Sequence, residues 1–387
     1  MPLSARSSTI RRRSLAAGAA AGAAMVSLRA LARPLPGTER RLLDWDAVRR
    51  VALARCDEDS WRPAAIDAER LGLRYDAMAA ELAPLMAEVC GAPVSGFPHF
   101  TVVDRRGFIE RNLVIVQRLF EPIERLRATI PESRATALGR NLLSRYVGEL
   151  FGFLSKRVLG QYDPVLMLAP TAQTADNSPP TALYLVEPNV VAFQRRHAIP
   201  EENLRRWLVL HELTHAWQFE SHPWLGEHLT SLMSELLLSQ LVAQAEQAGA
   251  GDGQPRTSTR VLLRALPGTL RAQLRAIGGV QATMSVCEGY SNFVMHRVGS
   301  RHLADFERLE SAFHARSTQR PLLERLVLAI TGLNMKMRQY ELGEHFAETV
   351  SARGGLPLLN RVWEAPALMP TMAELQAPER WIQRVGG

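Results

Sequence analysis

The chain has 387 residues, 47% of them hydrophobic and 22% charged, with a formal net charge of +7. That supplies one large core or two modest ones and excludes a chain dominated by disorder. Five of the seven net positive charges are Arg6, Arg11, Arg12, Arg13 and Arg29 in the first 32 residues, and Lys156 and Lys336 are the only lysines while arginine is abundant, so the basic balance is weak evidence for a phosphate-binding surface and no nucleic-acid partner is expected.

The N-terminus comes first in chain order. Arginines 11–13 precede the small apolar run SLAAGAAAGAAMVSL, and Ala30-Leu31-Ala32 stands before Arg33. This is the grammar of an export signal and resembles the twin-arginine type, with cleavage after Ala32. The run is too short for a stable membrane span. The competing reading is a start upstream of the true Met25, or a disordered basic tail, and it places the protein in the cytoplasm. Residues 1–32 are therefore read as an export signal or disordered segment. Residues 40–387 are read as a single domain, with a helical part over about 40–160 and a motif-bearing part over about 161–387.

Beyond that point, helical periodicity predicts helices over 62–90, 108–128, 132–158, 201–220, 226–248, 258–298, 301–316 and 319–351. Strands are expected at Val165–Ala169 and Ala182–Phe193, as a short hairpin around the loop TAQTADNSPPT. GAGDGQPRTST at 249–259 is a second loop, and no repeat of fixed period is present. The fold class is mainly α with a small β element, α+β. Cys56, Cys90 and Cys287 are odd in number and contain no Cys-x-x-Cys, which points to neither a cysteine zinc site nor a disulfide framework.

The segment VLHELTHAWQFE, Val209–Glu220, carries the chemistry. Pro200 suits the first turn of a helix in which Leu204, Trp207, Leu208, Leu210, Trp217 and Phe219 recur at helical spacing. Four residues advance a helix by about 400°, which brings His211 and His215 onto one face within reach of one ion. Glu212 lies off that line, placed to take a proton from water that Zn²⁺ acidifies. The bland reading is a buried helix that happens to carry two histidines.

A catalytic zinc needs a third protein ligand and an open position. The pattern H-E-x-x-H-x-x-G-x-x-H would supply one close by, but Gln218 and Ser221 stand at its glycine and third histidine. His222 is one residue out of place, and without the glycine the backbone does not turn it back to the metal. Glu288 in MSVCEGYSNFVMH is the alternative, a carboxylate from a separate helix as in gluzincins. Against it, a helical glutamate is commonly a solvated face residue. For it, Val286, Phe293, Val294 and Met295 surround it with apolar neighbours, and a buried carboxylate needs a cation or a donor.

DWDAVRRVA at 44–52, VVDRRGFIERNL at 102–113, the HELTH segment with PWLGEHL, MSVCEGYSNFVMH, and the stretch from Met335 to Leu375 carry a family likeness. Over about 44–384 the chain resembles the zincin-like metallopeptidase family of actinobacteria, labelled as associated with deazaflavin-coenzyme biosynthesis. The resemblance implies a zincin-like architecture holding one Zn²⁺ through His211, His215 and Glu288, with Glu212 as the catalytic residue. An export signal departs from the cytoplasmic character that such a coenzyme association implies.

Other residues are weighed against packing. Tyr290, two positions past Glu288, points away from it on a regular helix and reads as a packing residue; Cys287, one position before, reads as a small buried hydrophobe. Tyr340 is a candidate donor to an oxyanion or to substrate, against packing or capping. Glu341, Glu344, His345 and Glu348 read as a solvated helix face, and His228 and His296 as polar helix residues. The expected function is that of a zinc-dependent metallohydrolase, a metallopeptidase acting on a peptide or protein substrate, in which Glu212 activates a zinc-bound water. The alternatives are a catalytically idle zinc-containing binding or maturation factor tied to the deazaflavin coenzyme, and a purely structural helical protein. Oligomeric state is not legible.

Overall fold

The computed structural model describes residues 41–56, 65–94, 96–127, 133–162, 183–235, 259–318 and 335–386. The expected export signal at 1–32, the expected strand at Val165–Ala169 and both expected loops lie outside these residues or at their margins. Two compact units are present, one drawn from Met1–Arg55 and Gln117–Phe153, the other from Cys56–Val116 and Leu154–Gly387.

The first unit contains α1 (Trp45–Ala54), a helix ahead of the first one expected. Its start is dictated locally: the Asp44 side chain accepts from the Ala47 N–H at 2.9 Å and caps the helix. Asp44 N–H donates to Ser144 Oγ at 2.8 Å, and the Arg55 guanidinium binds Glu149 through two bonds of 2.6 and 2.9 Å. A Cβ at Gly148 would stand 2.7 Å from Val51 Cβ, so the close approach there depends on glycine.

The second unit is mostly helical with a three-stranded sheet. Its elements are α2 (Ala65–Cys90), β1 (Thr101–Val103), the start of α3 (Arg105–Arg127), the end of α4 (Arg134–Ser155), β2 (Gly160–Tyr162), β3 (Leu183–Val186), α5 (Glu187–His197) and α6 (Glu201–Glu220). They are followed by α7 (224–235), α8 (Thr259–Val294), α9 (Phe306–Thr318), α10 (Met335–Asn360), α11 (Met372–Gln376) and α12 (Pro378–Val385). A π-helical turn at Met295–Gly299 continues α8, and α10 breaks at Gly355, where φ is 73°.

The sheet order is β1-β3-β2, with β3 parallel to β1 (Val102 opposite Leu185) and antiparallel to β2 (Gln161 opposite Tyr184). All four residues of β3 are buried, which explains its unbroken run Leu-Tyr-Leu-Val. The extended stretch expected over Ala182–Phe193 therefore ends at Val186, and Glu187–His197 is helix. Pro188 stands in its first turn and Ala198 terminates it in the left-handed region at φ 49°. The apolar residues Val186, Val190 and Phe193, all buried, follow a helical spacing that the β-branched pair Val190-Val191 disguises.

α2 and β2 pack against α6, and α8 packs along α10. A buried ion pair fastens this part: Arg205 Nη2 lies 2.5 Å from Glu187 Oε1, and Tyr75 O–H donates to Glu187 Oε2 at 2.8 Å. α2, α5 and α6 are thereby joined. Among the described residues no helix is long and apolar enough to cross a membrane.

Candidate metal centre

α6 has buried residues on nearly every side, Leu208, Leu210, Leu213 and Trp217 among them, so its polar residues are held within the protein rather than on a solvent face. His211 and His215 stand on one side of it, their rings edge-on at 88° and their Nε2 atoms 3.3 Å apart. α8 brings Glu288 to the same point: its Oε2 lies 3.6 Å from His215 Nε2 and 4.0 Å from His211 Nε2. Among the described residues these three form the one group of acidic, histidine or cysteine side chains with ligand atoms close enough together for a metal ion.

The donor set fits a borderline-soft divalent cation. Two imidazole nitrogens and a carboxylate oxygen converge, and each histidine has its other nitrogen engaged: His215 Nδ1 lies 3.0 Å from Gln218 Oε1, and His211 Nδ1 lies 3.0 Å from Ser291 Oγ. The electrostatics agree. Burial disfavours the charged ring of His215, but the bond to and charge of Glu288 outweigh it, so the His215 pKa is raised and positive charge is drawn to this point. Burial and the neighbouring His215 lower the His211 pKa, keeping that ring neutral. His211 is also the most open of the three, with 27% of its side chain exposed against 14% and 15% for His215 and Glu288.

Glu212 is buried beside this group. Burial pushes its carboxyl up to about 7, against the opposing effects of His215 and of a bond from the Tyr162 backbone N–H. Strand β2 is what covers it: a Cβ at Gly160 would stand 2.8 Å from Glu212 Oε1 and 2.5 Å from Leu185 Cδ2. Tyr162 holds the strand to the end of α6, with its ring stacked on Phe219 and its O–H donating to Glu220 at 2.8 Å.

The remaining candidates lie apart. His222 Nδ1–H donates to the Gln218 carbonyl at 2.9 Å, and its ring meets Trp217 and Trp363, away from the cluster. Tyr290 is buried, stacked on Trp217, and its O–H donates to Asn360 Oδ1 at 2.8 Å. Cys287 is buried too, and burial pushes its thiol up. Glu341, His345 and Glu348 are exposed, whereas Glu344 is half-buried and accepts from Asn292 Nδ2 at 3.4 Å. Tyr340 belongs to α10, but its side chain lies outside the described residues.

Three parts of the site have no counterpart in the sequence reading: the Gln218 and Ser291 partners of the histidines, the Gly160 cover, and the crossing of α8 with α10. At that crossing a Cβ on Gly289 would stand 2.0 Å from the Gly343 carbonyl carbon, and one on Gly343 would stand 1.8 Å from the Ser285 carbonyl oxygen. Two glycines, one of them next to Glu288, let the helices touch backbone to backbone. The available signal was the spacing itself, Gln218 three residues past His215 and a glycine after each of Glu288 and Leu342, and it is too common to stand alone.

The sequence profile of the zincin-like metallopeptidases matches residues 43–382. Among solved structures, a candidate hydrolase with a novel fold from Chloroflexus aurantiacus is similar at a TM-score of 0.64 and 32% identity, over 89% of this chain and 99% of that one. No curated protein matches.

Proposed function

The chain belongs to the zincin-like metallopeptidase family, and from that premise we propose that it is a zinc-dependent hydrolase of peptide bonds in which His211, His215 and Glu288 hold one Zn²⁺ and Glu212 is the general base. The observation that carries this is the convergence of two Nε2 atoms and a carboxylate oxygen within 4.0 Å, with a second carboxylate, that of Glu212, buried beside them. Bound there, zinc supplies Lewis acidity to a substrate carbonyl and to water.

The chain's own residues do the rest. Glu212 takes a proton from the attacking water and returns it to the leaving amine, a task suited to a carboxylate that stands beside the three candidate ligands rather than among them. The Tyr162 N–H and the absence of a side chain at Gly160 hold the Glu212 carboxylate in place. Ser291 and Gln218 orient the two imidazoles. Tyr340 is retained as a candidate oxyanion or substrate contact.

The competing reading, an idle zinc-containing maturation factor tied to the deazaflavin coenzyme, has no use for an intact, buried Glu212. Metal analysis of the full chain beside a peptide-library digest tests the choice. One zinc per chain is expected, with cleavage that falls by about 10²–10⁴ in Glu212→Gln while the zinc stays. Zinc without any cleavage that Glu212→Gln abolishes would establish the idle factor, and absence of stoichiometric zinc would return the protein to a purely structural role.

A further inference from the structure

Gln218 lies on α6 three residues past His215, and its side chain is wholly buried. It makes two bonds in opposite directions. Nε2 donates to the backbone carbonyl of Cys287, the residue before Glu288, at 2.9 Å, and Oε1 lies 3.0 Å from His215 Nδ1. A carbonyl can only accept, so the nitrogen end of the amide is committed to Cys287 and the oxygen end to His215. His215 Nδ1 must then carry a hydrogen. In the neutral ring that leaves the Nε2 lone pair, 3.6 Å from Glu288 Oε2, facing the centre of the cluster. One buried amide joins the ring of one candidate ligand to the helix backbone at the root of another.

We infer that Gln218 is a positioning residue that couples His215 to Glu288: it sets the tautomer of the first and the approach of the helix carrying the second. The inference rests on the zinc reading above. Its geometry also separates it from Ser291, which engages a single histidine, and from Thr214, a buried neighbour on α6 whose O–H returns to the Leu210 carbonyl at 2.8 Å.

The test uses the full chain, stripped of metal and titrated with Zn²⁺ against a chromophoric chelator, and the visible absorption spectrum of the Co²⁺-loaded form. Gln218→Met keeps the side-chain length and loses both bonds. It is expected to weaken zinc binding by about 10- to 100-fold and to change the Co²⁺ spectrum, while Thr214→Val changes neither. Gln218→Glu keeps the acceptor for His215 and loses the donor to Cys287, so its affinity should fall between those of wild type and Gln218→Met; it also serves if the methionine variant does not fold. In a Glu288→Gln background the Gln218→Met substitution should cost less than it does in wild type, because only its bond to His215 is left to lose its effect. A purely structural glutamine would show the same loss in both backgrounds and an unchanged Co²⁺ spectrum, and that result overturns the coupling. Wild type that binds no zinc would overturn the zinc reading and the coupling with it. Wild type that binds zinc, beside a Gln218→Met protein of equal affinity, removes the coupling alone.

Discussion

Gly343→Ala puts the crossing of α8 and α10 to the test. The added Cβ would stand 1.8 Å from the Ser285 carbonyl oxygen and 2.7 Å from its carbonyl carbon, whereas real Cβ contacts essentially never fall under 3.0 Å. The helices must therefore part by roughly 1.2 Å or more at that point, the difference between those two distances. No rotamer relieves the clash, because backbone meets side-chain root, so a loss near the top of the overpacking range, about 3 kcal/mol, is expected. Glu288 lies three residues past Ser285 on the helix that moves, and metal–ligand distances tolerate only about 0.2 Å. Zinc affinity, measured by chelator competition, should fall at least tenfold, the lower end of what losing a supporting partner costs, with thermal unfolding of the metal-free chain reporting the strain separately. Gly278→Ala on α8 is the control: a Cβ there meets nothing within 4 Å, and the change should be neutral or stabilising by about 0.5–1 kcal/mol. A Gly343→Ala protein with unchanged stability and unchanged zinc affinity would show that the helices do not cross this closely and would refute the reasoning.

Gly160→Ala should lower turnover while leaving bound zinc in place, since the atoms nearest the new Cβ belong to Leu185 at 2.5 Å and Glu212 at 2.8 Å; loss of zinc on this substitution would contradict the division of roles. Arg205→Met leaves the Glu187 carboxylate buried with only the Tyr75 hydroxyl, and should cost about 3–5 kcal/mol in urea unfolding. Glu374 supplies the pH dependence. Burial raises its carboxyl, but the bonds from Arg384 and from Thr371, with which it forms a capping box, outweigh that and hold the pKa below the ordinary value of 4.5. A depressed carboxylate stabilises the fold above its unfolded pKa and ceases to do so as pH falls through the folded value. The difference in melting temperature between wild type and Glu374→Gln should therefore be full at pH 7 and shrink below about pH 4; a difference that grows on acidification would reverse the assigned sign.

The amino-acid sequence by itself determined that the HELTH segment is a helix with His211 and His215 on one side and Glu212 off that line, because those are consequences of 3.6 residues per turn acting over five positions. It also marked the long helices near the ends they have, since their apolar periodicity is local: the expected 62–90 and 132–158 correspond to Ala65–Cys90 and Arg134–Ser155. β1 and β2 were not legible, since three residues are too few to show an alternation. The strand expected through Phe193 failed because β-branched valines serve a buried helix face as well as a sheet when Pro188 opens the helix. Glu288 stood out in the sequence only as a carboxylate in apolar company. Only the tertiary structure brings it within 4.0 Å of both histidines, and only it shows Gln218 reaching Cys287 across 69 positions or Ser291 reaching His211 across 80. Contacts at such separations depend on where two helices cross and how closely. That is decided at Gly289 and Gly343 by the room a missing side chain leaves, a property of the packed pair that neither helix carries alone.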